Sequence, residues 1–179
     1  FTRTTRLIPF IIFFALLSVL GRELYSASPR QSSEAMVGDQ VTAFNLPLIS
    51  NPSQFLKKKS LNGKVALLNI WASWCGACAQ EHSMLMKIQR DYGIPIYGIL
   101  YRDSADSANR VLANKGNPYV AVGNDPNGDV SVDFGIYGTP ETYVVSPTGK
   151  ILYRQVGVID QATWVTTLYP LIQKYNGER

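Results

Sequence analysis

The chain has 179 residues, enough for one ordinary domain with an appendage, and this length disfavours two full domains. It is 46% apolar and 17% charged, which excludes wholesale disorder. The formal net charge of +4 does not indicate a face that binds nucleic acid, because the first 30 residues hold four arginines against one glutamate and carry most of the excess. We therefore expect no nucleic-acid partner.

A predominantly apolar run extends from Leu7 to Leu20, with Ser18 as its one polar side chain. At about 1.5 Å per residue it reaches roughly 21 Å, short of the ~30 Å hydrocarbon core of a membrane, although flanking residues bring it close to a spanning length. This shortness favours a cleaved signal peptide, whereas the poor cleavage site before Pro29 favours an uncleaved anchor. We predict a signal-anchor at residues 1–21, with a signal peptide as the alternative. Either one would send the rest of the chain out of the cytosol.

Residues 22–35 are rich in Ser and lack hydrophobic periodicity, so they are predicted to form a linker to a globular domain at residues 36–179. Within that domain, Val65–Trp71 is an apolar run typical of a strand buried on both faces. Apolar residues then recur at helical spacing from Cys75 to Gly93. A strand over Ile94–Leu100 and a helix capped by Asp103 or Ser104 follow.

This alternation of strands and helices predicts a largely parallel centre of the sheet. Towards the C-terminus, Glu141–Val145 and Ile151–Val156 are strand-like and are joined by a hairpin signal. Asp160 is predicted to cap a last helix that Pro170 kinks. One face of this helix would carry Trp164, Leu168, Leu171 and Tyr175. The expected fold class is therefore α/β, with a central mixed sheet flanked by helices.

The two cysteines of the chain, Cys75 and Cys78, lie at the predicted start of a helix. Unpaired backbone N–H groups and the helix dipole favour a thiolate on the first sulfur, and the second lies one helical turn along. This arrangement indicates thiol–disulfide chemistry. A structural disulfide remains an alternative, although so short a loop contributes little stability.

Metal chemistry is a second class of function for the same residues. Haem attachment would require a His after the second cysteine, where Ala79 stands. Zinc would need further ligands beyond the cysteines and the single histidine, His82. A copper-binding or copper-delivery module using Cys75, Cys78 and His82 remains open. We expect no metal site and no cofactor other than a redox-active Cys75–Cys78 disulfide.

The segment from Trp71 to Cys78 resembles the active-site segment of thioredoxin-fold proteins. More narrowly, the chain is similar to the membrane-anchored thiol:disulfide interchange proteins of cytochrome c biogenesis, the CcmG/DsbE family. The more specific marker is Gly135 to Thr142, which reads Gly-Ile-Tyr-Gly-Thr-Pro-Glu-Thr. The similarity extends from the N-terminal apolar segment to the last helix.

The resemblance implies a role for each matching residue. Cys75 would be the exposed nucleophile and Cys78 the buried resolving thiol. Pro140 would be the cis-proline beside the disulfide, with Thr139 presenting its backbone to the bound partner. The acidic residues that line the site would be Glu81 and Glu141, although each has a simpler interpretation as a solvated charge. Partner binding would also involve Trp74 and Tyr137.

The resemblance also implies a location and partners. The domain would face the periplasm from the inner membrane, receive electrons from a DsbD- or CcdA-type transporter, and reduce apocytochrome c directly or through a CcmH-type protein. A general periplasmic disulfide reductase with other clients is the enzymatic alternative.

The chemistry requires a base for the buried thiol of Cys78. Thioredoxin places an Asp six residues before the first cysteine, but here Asn69 occupies that position and an amide accepts no proton at neutral pH. Because Glu81 lies three residues after Cys78 on the same helix, it is the predicted base. A carboxylate near the Cys75 thiolate would also raise the pKa of that thiol, which predicts a reductant.

Overall fold

The computed structural model describes residues 8–26, 36–136 and 138–177, and the chain divides into two compact units, residues 1–32 and 33–179. In the first unit, helix α1 spans Ile8–Ser26. Across the described ranges, none of the helices has the combined length and apolar character that a membrane crossing requires. The helix includes residues 22–26 of the predicted linker, because the chain there has no proline before Pro29. Residues 27–35 lie outside the described residues.

The second unit begins with a small antiparallel hairpin that sequence analysis did not predict. Its strands are β1 (Asn45–Pro47) and β2 (Phe55–Lys57), and a 3-10 turn at Lys58–Leu61 follows. A bridge between Leu48 and Gly123 joins this hairpin to the main sheet. Strands of three residues carry too little alternation to be recognised from sequence.

The main sheet contains five strands with mixed direction, as predicted. They are β3 (Ala66–Trp71), β4 (Ile96–Tyr101), β5 (Ala121–Asp125), β6 (Glu141–Val145) and β7 (Ile151–Val156), in the spatial order β5-β4-β3-β6-β7. Strands β3, β4 and β5 run parallel to one another. Strand β6 pairs antiparallel with β3, and β7 pairs antiparallel with β6. The predicted hairpin at β6 and β7 is confirmed. Strand β5 was missed, because only two of its five residues, Ala121 and Val122, are apolar.

Helix α2 (Gly76–Lys87) follows β3 and continues as a π-helical turn at Ile88–Tyr92, which ends at Gly93 in the left-handed conformation (φ 63°). Helix α3 (Ala105–Lys115) connects β4 to β5, and a short helix α4 (Asp129–Asp133) follows β5. The cap of α3 is Ser104, whose side chain accepts a hydrogen bond from the Ser107 N–H.

The last helical segment consists of α5 (Gln161–Thr163), a π-helical turn at Trp164–Leu168, and α6 (Tyr169–Gly177). Asp160 caps it, as predicted. The wider π turn moves the buried face by one residue, so Ile172 is fully buried where Leu171 was expected. The turn ends two residues before Pro170, the position of the predicted kink.

The two faces of the main sheet pack against different layers. On one face, Leu67 and Trp71 pack with buried residues of α2, α3 and the C-terminal helices. On the other, Leu68 and Ile70 pack with the N-terminal hairpin and with Phe134 and Ile136. Residues at even and odd positions of a strand therefore face different surroundings, which decides where each acidic residue lies.

Candidate active site

The two cysteines form a disulfide at the start of α2, directly after the carboxyl end of β3. Cys75 is the cap residue of the helix, and its sulfur accepts a hydrogen bond from the Cys78 N–H at 3.0 Å. The preceding loop is held by Asp103, whose carboxylate accepts from the Ser73 N–H at 2.6 Å. The predicted strand–turn–helix with the cysteines in the turn is confirmed.

Both cysteines are almost fully covered, with 7% of Cys75 and 6% of Cys78 exposed. The expectation of an exposed first cysteine and a buried second one is therefore wrong for the disulfide form. The physical reason is that each sulfur is shielded by the other, and the Cys75 sulfur also lies 3.5 Å from the carbonyl oxygen of Thr139.

The loop opposite the disulfide contains the cis peptide bond Thr139–Pro140, so the predicted cis-proline is confirmed. The side-chain hydroxyl oxygen of Thr139 is buried without a hydrogen-bond partner in the described part of the chain. Tyr137, the other residue predicted to contact a partner from this loop, lies outside the described residues. Pro140 is buried and leads directly into β6.

Among the described aromatic residues near the disulfide, Trp74 has the most exposed side chain, at 59%. Its indole N–H donates to the carbonyl oxygen of Arg102 at 3.2 Å, so the ring is tethered despite its exposure. Arg102 adopts a left-handed backbone conformation (φ 47°), which is uncommon outside glycine. An exposed, tethered indole is suited to contact a protein partner, and this role for Trp74 stays a prediction.

Glu81 lies on α2 one turn after Cys78 and is fully buried, so its interpretation as a solvated charge is wrong. One carboxylate oxygen accepts from the Asn69 side-chain amide at 2.9 Å, and the other from the Ile159 N–H at 3.0 Å. Burial raises the pKa of Glu81 to about 7, while these two hydrogen bonds act in the opposite direction. Such a carboxyl group can both take and release a proton near neutral pH.

Asn69 connects Glu81 to two polar residues that sequence analysis did not select. Its amide nitrogen also donates to the Thr142 hydroxyl at 3.0 Å, and its carbonyl oxygen accepts from the Tyr119 hydroxyl at 2.8 Å. The register that pairs Asn69 with Thr142 places both side chains on the face of the main sheet that packs against α2. Burial raises the pKa of Tyr119 well above its ordinary value, so the phenol keeps its proton.

The ring of Tyr119 is held by packing as well as by its hydroxyl. It stacks on Trp71 with ring centroids 5.3 Å apart. Both rings pass over Gly98, where an added Cβ would lie 3.0 Å from the Trp71 indole nitrogen and 3.2 Å from the Tyr119 ring. The Gly116-Asn117-Pro118-Tyr119 segment was visible in the sequence, but no local pattern showed that Tyr119 would reach Asn69.

Glu141 lies on the other face of the sheet from Glu81. In the β6 register it pairs with Ile70, which packs in the opposite core layer. Its carboxylate accepts a hydrogen bond at 2.7 Å from Arg154 of β7, and the same guanidinium donates to the Gly135 carbonyl oxygen at 3.0 Å. Burial raises the pKa of Glu141, with the Arg154 charge opposing this effect. The structure thus joins Glu141 to Arg154 rather than to the Glu81 network, and it is not a solvated charge.

His82 makes a contact of 3.1 Å from its Nε2 atom to the Gly116 carbonyl oxygen and is buried. It lines a small cavity of about 30 Å³ together with Cys75, Cys78 and Lys115. Within residues 8–26, 36–136 and 138–177, no three His, Cys, Asp or Glu side chains converge as metal ligands. The donor geometry of the described residues gives the copper alternative no support.

The ionisation of Glu81 predicts a pH-dependent stability. Between pH 4.5, its ordinary pKa, and about pH 7, the folded chain keeps a proton that the unfolded chain releases, so the free energy of unfolding falls as pH rises. The full effect is about 3 kcal/mol. We expect wild-type protein to lose about this much more than the Glu81→Gln variant between pH 4.5 and 8 in chemical unfolding experiments.

As a control, Asp160→Asn removes a carboxyl whose pKa is lowered, chiefly by the Thr163 N–H. The contribution of this carboxyl is fully present above its ordinary pKa of 3.8 and is lost only below it. The difference between wild type and Asp160→Asn should therefore stay nearly constant between pH 4.5 and 8. A wild-type minus Glu81→Gln difference that does not change with pH would contradict the buried ionisation of Glu81.

The chain is similar to known proteins in both sequence and fold. The family model described as Redoxin matches residues 36–168. A thiol:disulfide interchange protein DsbE from Allochromatium vinosum is 37% identical over 171 residues, covering 96% of this chain and 94% of its own length. The protein with the same description from Escherichia coli is 37% identical over 181 residues, covering 98% and 97%.

Solved structures agree with this result. A protein from Chlorobium tepidum, described as a thiol:disulfide interchange protein DsbE, superposes with a TM-score of 0.66 at 26% identity, covering 78% of this chain and 96% of that one. A thioredoxin from Neisseria meningitidis superposes with a TM-score of 0.65 at 23% identity, covering 76% and 92%, and supports the fold alone.

Proposed function

The chain belongs to the Redoxin family and, within it, to the DsbE/CcmG thiol:disulfide interchange proteins, and from this premise we propose that it reduces the disulfide of apocytochrome c or of its maturation partners so that haem can be attached. At the coarser level the chain is a thioredoxin-like protein-disulfide oxidoreductase with a redox-active Cys75–Cys78 disulfide. The observation that carries the finer proposal is the 37% identity with DsbE proteins over nearly the whole chain. The buried Glu81 carboxyl, one turn from Cys78 and with a pKa of about 7, supports the exchange chemistry itself.

The exchange proceeds in two steps. The Cys75 thiolate attacks one sulfur of the partner disulfide, which breaks that bond, forms a mixed disulfide and releases the other partner sulfur as a thiolate that takes up a proton. Cys78 then gives its proton to Glu81 and attacks the Cys75 sulfur, which breaks the bond between Cys75 and the partner and releases the second partner sulfur as a thiolate that takes up a proton. The partner leaves as a dithiol, and the protein is left as the disulfide. Two electrons pass to the partner, and its two thiols gain two protons.

Glu81 also supports the direction of the reaction. When ionised, a buried carboxylate one turn from the cysteine pair disfavours a second negative charge on the thiols. A thiol with a less depressed pKa gains less from thiolate formation, which makes the disulfide harder to reduce and the dithiol a better reductant. The helix cap at Cys75 acts in the opposite sense through the N–H of Cys78.

The partners and the location belong to the same proposal. The reduced form would be regenerated by a membrane thiol–disulfide transporter of the DsbD or CcdA type, and a CcmH-type protein would be an intermediate client. Residues 1–21 would serve as a single-pass anchor that leaves the domain in the periplasm. The apolar run from Leu7 to Leu20 and the match with DsbE proteins over 96% of this chain support this.

The proposal predicts that the Cys78→Ser variant accumulates as mixed disulfides through Cys75, because the second attack is blocked. The full chain should be expressed in a cytochrome c-producing bacterium, quenched with acid and alkylated, and its complexes identified by mass spectrometry. We expect apocytochrome c or its thiol-handling proteins, in the membrane fraction. The Cys75→Ser, Cys78→Ser double variant is the control for non-covalent carry-over.

Two outcomes would contradict parts of the proposal. Clients unrelated to cytochrome c would favour a general periplasmic reductase. Complexes found only in the soluble fraction would contradict the membrane anchor.

A further inference from the structure

The amide of Asn69 is placed so that its two ends touch chemically different groups. The nitrogen end donates to the Glu81 carboxylate at 2.9 Å and to the Thr142 hydroxyl at 3.0 Å. The oxygen end accepts from the Tyr119 hydroxyl at 2.8 Å. All four side chains lie on the face of the main sheet that packs against α2, and Asn69, Glu81 and Thr142 are fully buried.

An asparagine amide has two orientations related by a half-turn, and they affect a neighbouring carboxyl in opposite ways. With nitrogen towards Glu81, the amide stabilises the carboxylate. With oxygen towards Glu81, it would repel the carboxylate and accept from the protonated acid. The Thr142 hydroxyl does not choose between them, because it can accept from nitrogen or donate to oxygen.

Tyr119 does choose between them. A buried phenol that keeps its proton needs an acceptor, and the Asn69 oxygen is placed to accept it. The tyrosine cannot easily move away, since its ring is stacked on Trp71 above Gly98. Rotation of the amide would turn its N–H towards the Tyr119 oxygen, which can accept it, but would leave the Tyr119 O–H without the acceptor that it has in the described contacts.

We propose that Tyr119 and Asn69 are positioning residues for the exchange reaction: the Tyr119 hydroxyl fixes the Asn69 amide with its nitrogen towards Glu81, and this orientation sets the acidity of the base. The inference rests on the role of Glu81 proposed above. It adds a determinant from the segment before β5, which touches neither sulfur in the described contacts.

Among the described contacts around Glu81, the hydrogen bond from Tyr119 to Asn69 is the one that a substitution can remove selectively. The Ile159 N–H approaches the second carboxylate oxygen and is a backbone group. Cys75 and Cys78, on the same helix, do not titrate as a disulfide. From β6 the facing polar group is Thr142, which is uncharged, and Tyr119 is the titratable group from the segment before β5.

The Tyr119→Phe variant tests the proposal, because it keeps the stacked ring and removes only the hydroxyl. In the oxidised full chain carrying ¹³C-labelled glutamate, the Glu81 carboxyl can be titrated by NMR and assigned by the signal missing from Glu81→Gln. We expect its midpoint to move upward by about one pH unit, the order expected when one hydrogen bond to a carboxylate is lost. An unchanged midpoint would overturn the proposal.

Tyr143→Phe is the matched control. Like Tyr119, Tyr143 is buried and its hydroxyl donates to a carbonyl oxygen, that of Phe134 at 2.9 Å, but it lies on the opposite face of the sheet. The Glu81 midpoint should stay at its wild-type value in this variant. An equal shift in both variants would mean that loss of any buried tyrosine hydroxyl perturbs Glu81, which would also overturn the proposal.

A measurement on the unaltered chain keeps the proposal testable if Tyr119→Phe fails to fold. The side-chain N–H resonances of Asn69 should move with pH at the same midpoint as the Glu81 carboxyl, since one of these protons lies in the hydrogen bond. If the side-chain N–H resonances of Asn69 do not shift as Glu81 titrates, the assigned orientation of the amide is overturned.

Kinetics separate this proposal from the role of Glu81 as a base. The rate at which Cys78 releases a model peptide from the mixed disulfide is measured across pH in wild type and in Tyr119→Phe. If Glu81 is the base, the midpoint of the rate profile moves upward with the carboxyl midpoint. If the carboxyl midpoint moves and the rate profile does not, the positioning of Glu81 stands and its proposed role as base fails.

Discussion

We expect the Cys75→Ser variant to show no turnover of a disulfide substrate and the Cys78→Ser variant to stop after one attack. A serine hydroxyl is not ionised near neutral pH and cannot form the mixed disulfide, so Cys75→Ser loses the first step. Cys78→Ser keeps the nucleophile at the helix start but lacks the thiol that releases the partner. The two variants therefore fail at different points.

The measurement is reduction of a synthetic peptide disulfide by the fully reduced full chain, with mixed disulfide followed by mass spectrometry. Cys78→Ser should yield a stoichiometric complex and Cys75→Ser none. Ser83→Ala, an exposed position on the same helix, is the control for non-specific effects of substitution. A complex formed by Cys75→Ser through Cys78 would reverse the assignment of nucleophile and resolving thiol.

We expect Arg154→Met to lower the free energy of unfolding by about 3–5 kcal/mol, the range typical of removing one partner from a buried ion pair. Arg154 and Glu141 are both buried, with their charged atoms 2.7 Å apart. The variant leaves the Glu141 carboxylate without its cation and the Gly135 carbonyl without its donor. Methionine fills much of the same space, so the loss would come from the unpaired charge.

Unfolding of the oxidised full chain by urea, followed by circular dichroism, measures this difference. Arg90→Met is the matched control, because Arg90 pairs with Asp91 at the surface and its removal should have a much smaller effect. Replacing both partners, as in Glu141→Leu with Arg154→Met, should recover much of the lost stability. An Arg154→Met variant as stable as wild type would show that the pair does not hold this face of the sheet.

This ion pair changes how Glu141 is interpreted. The resemblance to CcmG/DsbE proteins implied that Glu81 and Glu141 both line the redox site. Glu141 follows Pro140 in the chain, but its side chain points to the layer that contains Tyr143 and Phe134. A reduced activity in a Glu141 variant should therefore be interpreted together with the stability of that variant.

Local patterns in the sequence were sufficient for most elements near the disulfide. The apolar run of β3, the cysteines at the start of α2, the caps at Ser104 and Asp160, and the β6–β7 hairpin each depend on residues close together in the chain. The β1–β2 hairpin and β5 were missed, because short strands with mixed polarity are stabilised by neighbours distant in sequence.

By itself, the sequence determined the fold class, the redox pair and the choice of Glu81, because helical spacing and motif positions are properties of neighbouring residues. The cis-proline was implied by the resemblance to CcmG/DsbE proteins. Only the tertiary structure decided that Asn69 joins Glu81 to Tyr119 and Thr142, residues 50 and 73 positions away along the chain. It also placed Glu141 beside Arg154 and covered both sulfurs. Hydrogen bonds, ion pairs and burial of this kind depend on strand order and register, which no local pattern contains.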